Sequence, residues 1–296
     1  MRKEHVPAMT LSAVKPGTDP AFEFVRALAS DLAGGDFELP PFPDTALRVQ
    51  RCVDDPDSDV RKLAAVVAQE PALAARLMRM ANSALLRRGT LEVTDIPTAI
   101  SRVGMDMVLN AAVSFAAREA MRPPPGSPSM AAIEPLRPRS IRVAVVAFVI
   151  SRRLQTLGKP EEAMLAGLLH TVGRLYVYTR AADHPELFSD LEALDALVQD
   201  WHTGVARAIV EAWGFPESIA RAVCEQETQE RDPKADPELG DLLFVAIAIV
   251  TAGEELAARL EGTDALARIG LGIEELMAML EDQDTVIENM VSSLGG

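Results

Sequence analysis

The chain is poor in aromatic residues, cysteine, histidine and positive charge, and it has no apolar run long enough to span a bilayer. Aromatics make up 4% of the sequence, whereas Ala, Leu, Val and Met abound. That mixture suits helix-on-helix packing better than aromatic-rich strands, and it predicts an all-α fold. The two cysteines, Cys52 and Cys224, are far apart and in neither metal-like nor redox-like spacing. A disulfide framework is excluded, and idle thiols in a reducing cytosol are expected. With 29 basic residues against 44 acidic ones, a net charge of −15 repels polyanions, so nucleic acid is not an expected partner. The longest apolar runs, Val143 to Ile150 and Leu242 to Val250, fall well short of the roughly 20 residues of a membrane helix. Met1 to Pro20 has Arg2 and Lys3 but no apolar stretch after them, which is not a secretory signal. A cytoplasmic location without membrane insertion is expected.

What the sequence does contain is a succession of helical patterns broken by proline and glycine. At 296 residues and 48% hydrophobic composition the chain can bury a core without staples. A polar leader precedes a helical face over Ala21 to Ala33 that ends at Gly34 and Gly35, which together form an N-terminal segment over residues 1–35. Leu39-Pro40-Pro41-Phe42-Pro43 is too proline-rich for helix. Asp44 then caps a helix over about Thr45 to Val53, and Ser58 is placed to cap the next, which carries Val60, Leu63, Val66 and Val67. Pro71 opens a helix with Leu73, Leu77, Met80 and Ala81 on its core face and with Arg76, Arg79 and Arg87 off it. Asp95 caps a short helix ended by Gly104, and another runs from Met105 to about Met121.

Residues 122–138 contain six prolines and read as a linker joining helical lobes at 36–121 and 139–235. Ser140 to Leu157 is Val- and Ile-rich, but it is too long for a strand and predicts a buried helix. Lys159-Pro160-Glu161-Glu162 opens the helix that ends at His170. Further helices are expected at about Pro185 to Val198, Gly204 to Trp213, Pro216 to Glu227, Pro237 to Leu260, Ile273 to Leu280 and Thr285 to Leu294. Residues 236–296 form a C-terminal helical extension packed on the core, which either completes it or supplies a homodimer surface.

Several phrases in order carry a resemblance: the Leu39 to Pro43 segment, Asp54-Asp55-Pro56, Glu70-Pro71-Ala72-Leu73-Ala74-Ala75-Arg76-Leu77 and Ala81-Asn82-Ser83-Ala84. They continue with Ile96 to Gly104, Ala166-Gly167-Leu168-Leu169-His170-Thr171-Val172-Gly173-Arg174-Leu175, His202-Thr203-Gly204 and Trp213-Gly214-Phe215-Pro216. From about Phe37 to Glu227 the chain resembles the HDOD family, relatives of the HD-type metal phosphohydrolases. The resemblance implies a multi-helix bundle of two packed lobes and a regulatory or interaction role in bacterial signalling. HD enzymes hold divalent metal with a histidine, a His-Asp pair and a further aspartate. Here the pair aligns with His170-Thr171, and a hydroxyl is a poor substitute for a carboxylate on a hard dication. Arg139 stands near the position of the preceding histidine, and Glu225-Gln226-Glu227 occupies the place of a histidine pair. No catalytic residues, no metal and no cofactor are therefore expected.

Without a metal, His170 reads as a hydrogen-bonded structural residue, or else as a polar group lining a leftover pocket with Arg139, Thr171, Arg174 and His202. His202 otherwise caps or staples a helix start, and His184 is a solvated loop residue. Asn82 and Ser83 close their helix through side-chain bonds to backbone, with a contact at the lobe junction as the other reading. Arg76, Arg79, Arg87 and Arg88 form the one dense basic cluster, either a solvated face or a partner surface. Three functions compete: a signalling or scaffolding module that binds another protein, a sensor for a small phosphorylated ligand or nucleotide in the degenerate pocket, and a phosphohydrolase.

Overall fold

A computed structural model describes residues 21, 23–28, 44–83, 92–154, 157–227, 231–261 and 263–295, with nothing said of the Arg118 side chain. The leader, the Gly34-Gly35 stop, the Leu39 to Pro43 segment, Arg87 and Arg88 lie outside the described residues. Among the described residues the regular structure is entirely helical.

The first lobe begins with α1 (23–28), which buries Phe24, Val25 and Leu28. It continues with α2 (Asp44–Asp54), α3 (Val60–Val67), α4 (Pro71–Ala81), α5 (Ile96–Val103) and α6 (Met105–Ala120). The α3 cap is Asp59 rather than Ser58: its carboxylate accepts from the Lys62 backbone N–H at 2.8 Å, while the Ser58 hydroxyl faces the Cys52 thiol. Asp95 caps α5 as its sequence predicts, accepting from Thr98 N at 2.8 Å. Gly104 separates α5 from α6 with φ of 94°, a conformation that disfavours any side chain.

The second lobe contains α7 (Met130–Ile133), α8 (Leu136–Leu154), α9 (Pro160–Leu169), α10 (Val172–Ala181), a 3-10 turn (Pro185–Ser189), α11 (Leu191–Ala212) and α12 (Glu217–Cys224). The expected linker over residues 122–138 is not wholly a loop: α7 forms inside it, Ser129 and Ile133 are buried, and α8 starts at Leu136. Pro138 is tolerated because it falls in the first helical turn, where backbone N–H groups have no intrahelical acceptor to lose. Helices α8 and α9 cross so closely that a Cβ on Gly167 would lie 2.4 Å from the Ala144 Cα, so the residue there must be glycine.

The C-terminal part comprises α13 (Leu239–Thr251), a 3-10 turn (Gly253–Glu255), α14 (Leu256–Glu261), α15 (Ala265–Arg268), α16 (Ile273–Asp282) and α17 (Asp284–Gly295). The helix expected from Pro237 to Leu260 is thus interrupted, and α15 has no counterpart among the expected elements. Helix α13 packs on α8, α9 and α12, while α17 packs on α8 and α4. One continuous apolar cluster runs from Phe24 to Leu294, so both lobes and the C-terminal helices share a core. Asp241, at the start of α13, is 3% exposed and accepts from Arg268 Nη2 at 2.6 Å and Nε at 2.9 Å, with Arg231 on its second oxygen. This buried ion-pair network ties α13 to α15. No described helix is long and apolar enough to cross a membrane.

Candidate functional site

The residues around the His170-Thr171 step are brought together by α10 and α11. A Cβ on Gly173 would sit 1.8 Å from the His202 carbonyl oxygen, so glycine is what lets these two helices touch. Helix α11 is one continuous helix of 22 residues, capped by Asp190 accepting from Ala193 N. The expected break before Gly204 is absent, because packing along α11 outweighs the helix-weakening effect of one exposed glycine. His202 therefore lies in mid-helix and caps nothing. Continuity also places Asp195, Gln199 and His202, at spacings of four and three, on one face toward α10.

His170, Thr171 and His202 are all buried, at 5%, 1% and 1% exposure. His170 Nδ1 lies 2.6 Å from the Gly167 carbonyl oxygen, a contact that requires Nδ1 to carry the proton and donate it. Burial lowers its pKa to about 4, only partly opposed by the bond to Gly167 and reinforced by the charges of Arg139, His202 and Arg174. At neutral pH it is an uncharged imidazole. The Thr171 hydroxyl is buried and has no hydrogen-bond partner among the described residues. Arg139 is exposed and reaches the group only through its charge.

Arg174 forms the centre of a polar cluster. Its Nη2 donates to Gln199 Oε1 and to Glu227 Oε1, the latter at 3.2 Å, and lies 3.0 Å from His202 Nε2. Gln199 Nε2 donates to Glu227 Oε2, and His202 Nε2 is 2.9 Å from Glu227 Oε1. A single ring nitrogen cannot both donate and accept, and the carboxylate requires a donor, so Nε2–H points at Glu227 and Nδ1 is left as a buried acceptor with no partner among the described residues. Burial lowers the His202 pKa against the opposing pull of the Glu227 bond. For Glu227 burial acts to raise the pKa, but the His202 hydrogen bond and the Arg174 charge outweigh it and leave it lowered. Tyr178 donates to Asp195 beside the cluster, and burial together with that carboxylate raises the phenol pKa.

This arrangement does not fit the metal that likeness to HD enzymes implies. Glu227 already accepts on both oxygens, His170 is turned to a carbonyl through Nδ1, and the guanidinium of Arg174 supplies the positive charge a dication would bring. Among the described residues no three His, Cys, Asp or Glu side chains converge as metal ligands. Gln199 was not among the residues expected from sequence, and Glu227 entered only within the triplet at the place of a histidine pair; a continuous α11 is the signal that would have pointed to Gln199.

The other expected site residues lie apart from this cluster. Arg76 is 4% exposed, so it is not part of a solvated basic face: its Nη1 turns toward Ser114 Oγ on α6, at 3.4 Å. Arg79 is exposed. Asn82 binds the Val93 backbone twice, donating to its carbonyl at 2.9 Å and accepting from its N–H at 2.8 Å, while Ser83 donates to Met80 O. All of these bonds stay within the first lobe, because α4 must hold the extended segment before α5 rather than reach across to α8.

Three comparisons bear on these observations. The model of the HDOD domain matches residues 39–229. A crystal structure of a candidate metal-dependent phosphohydrolase from Shewanella amazonensis SB2B is similar with a TM-score of 0.77 and 26% identity, covering 93% of this chain and 99% of that one. A candidate signal transduction protein from Marinobacter aquaeolei VT8 shares the fold with a TM-score of 0.64 at 21% identity, covering 95% of this chain and 68% of that one. An uncharacterised protein of Treponema pallidum is 24% identical over 208 residues, 66% of this chain but only 39% of that protein's length.

Proposed function

The chain belongs to the HDOD family, and from that premise we propose that it is a non-catalytic regulatory module of signal transduction that works by binding another protein. The observation that carries this reading is the Arg174–Gln199–His202–Glu227 cluster. A fixed guanidinium there neutralises the carboxylate and stands in for a metal, preserving the packing of α10 on α11 and giving nothing to activate water. Buried His170 is neutral and hydrogen-bonded to its own helix, which suits structure rather than proton transfer to a substrate.

The test is direct. Purified protein is analysed for bound transition metal, then assayed with Mn²⁺ or Mg²⁺ on an activated phosphodiester and on nucleotides. Background turnover is expected from the wild type and from His170→Gln alike. Metal-dependent turnover that disappears in His170→Gln overturns the reading. Affinity capture then seeks the partner, with charge reversal at exposed Arg79 as the surface control; buried Arg76 is unsuited to that purpose because its substitution perturbs the fold.

A further inference from the structure

Helix α16 is more apolar than its packing requires. Leu276, Met277, Ala278, Met279 and Leu280 follow one another, and at about 3.6 residues per turn such a run passes right round the helix. The fold buries Leu276 alone of them. Met277 is 47% exposed, one of three large apolar side chains that the described residues leave in solvent. Beside it an open groove of about 800 Å³ runs between α16 and helices α8 and α13, walled by Val146, Ile249, Val250, Leu280 and Ile287. We propose that this groove docks an amphipathic helix of a partner protein, one with basic side chains flanking its apolar face.

Charge complementarity carries the choice of partner. Residues 269–296 hold six acids and no Lys, Arg or His. Three of those acids, Glu274, Glu281 and Asp284, line the groove, and none of their carboxylates has a hydrogen bond or ion pair among the described residues. The one base in the lining, Arg142, is already paired, donating to Glu288 Oε1 at 2.7 Å. The rim is therefore negative and attracts basic groups. Helix geometry sets the spacing: Glu274 and Glu281 are seven positions apart on one face of α16, about 10 Å along the axis, with Met277 and Ala278 between them. Stability of α16 does not account for Glu281, because an acid in the last turn of a helix is opposed by the dipole.

The same chemistry excludes other occupants. An anionic lipid surface or a nucleic acid is repelled by this rim. In a twofold dimer the patch meets its own copy, which sets these acids against each other. The hollow on the other flank of α16 lacks a uniform sign, since Arg152 and Arg153 line it beside Glu275 and Asp282. A groove between helices receives a helix whose apolar side chains recur every three or four residues, and a methionine at its edge adapts to the side chains it meets. This inference rests on the reading of the chain as a protein-binding module, and it gives that module a surface.

The test uses the full chain and a synthetic helical peptide with leucines along one face, flanked by lysines about seven positions apart. Fluorescence anisotropy gives the dissociation constant. Methyl NMR spectra give the place, with the Met277 signal identified by its loss in Met277→Leu. Saturable binding is expected, with the Met277 methyl shifting and the methyl of Met130, exposed on α7, unmoved. The dissociation constant should rise roughly tenfold in the double variant Glu274→Lys, Glu281→Lys. It should stay unchanged in Asp54→Lys, Asp200→Lys, which alters net charge equally at exposed sites on α2 and α11. Absence of saturable binding overturns the proposal, as does a Met277 methyl that stays in place or equal weakening in the two double variants. A Met277 signal that moves when the protein alone is diluted assigns the groove to a second copy, and that also overturns it. The non-catalytic reading fails separately, through metal-dependent turnover lost in His170→Gln, so the two failures are told apart.

Discussion

Gly173→Ala tests whether the approach of α10 to α11 organises the polar cluster. The added Cβ would lie 1.8 Å from the His202 carbonyl oxygen and 2.8 Å from the Ala206 nitrogen. A tolerable C···O approach is about 3.3 Å, so the two helices must part by about 1.5 Å, and no rotamer change relieves a clash between Cβ and backbone. Overpacking of this kind costs about 1–3 kcal/mol. The upper end is expected, about 3 kcal/mol, because parting the helices also stretches Arg174 and His202 from Glu227. For a chain of this size that corresponds to roughly 6–12 °C in Tm. The control lies in the same α11: Gly204 is exposed and a Cβ there meets nothing within 4 Å. Gly204→Ala should therefore stabilise by about 0.5–1 kcal/mol through better helix propensity. Calorimetry on both variants in one buffer decides the matter. A Gly173→Ala protein melting within about 2 °C of wild type, or a Gly204→Ala protein destabilised as much as Gly173→Ala, would refute the close-approach argument.

Two further perturbations have defined signs. Asp241→Ala leaves the Arg268 guanidinium, whose side chain is fully buried, without its carboxylate; removing one partner of a buried pair costs about 3–5 kcal/mol, read as a lowered urea midpoint, and a loss below about 1 kcal/mol, the range of exposed pairs, would show the network to be solvated. Acidification acts through His170, whose folded pKa of about 4 lies below the ordinary histidine value of 6.5. The unfolded chain takes up the proton first, so the stability held above pH 6.5 is lost progressively as pH falls toward about 4, by on the order of 3 kcal/mol. The lowered pKa of His202 acts in the same direction. Urea midpoints measured across that window should fall with pH, less steeply in His170→Gln; equal slopes in the two proteins would remove His170 as the cause.

Sequence signals were legible where local chemistry decides the outcome. Asp95 and Gly104 mark the two ends of α5, because capping and a positive φ are local requirements. The length of the Val-rich stretch likewise identified α8 as a helix. Tertiary context overrode local signals elsewhere. Gly204 resembles a boundary, yet α11 passes through it on the strength of its packing against α10 and α12. Six prolines suggested an open linker, yet Ile133 is buried and Pro138 sits where a helix tolerates it. Arg76 lies between core positions on a helix whose neighbours were unknown, so nothing local distinguished a solvated arginine from one turned into α6.

The same distinction governs where an anion would bind. By residue type, Arg139, Arg174, His170 and His202 made the His170 region look like the phosphate site. In the folded chain both histidine pKa values are lowered, Glu227 accepts from Arg174 directly, and Arg139 stands exposed. The charges of Arg174 and Glu227 cancel there, so a phosphate would have to break that pair and then face the uncompensated carboxylate. Arg174 therefore closes the His170 region to anions by pairing with Glu227.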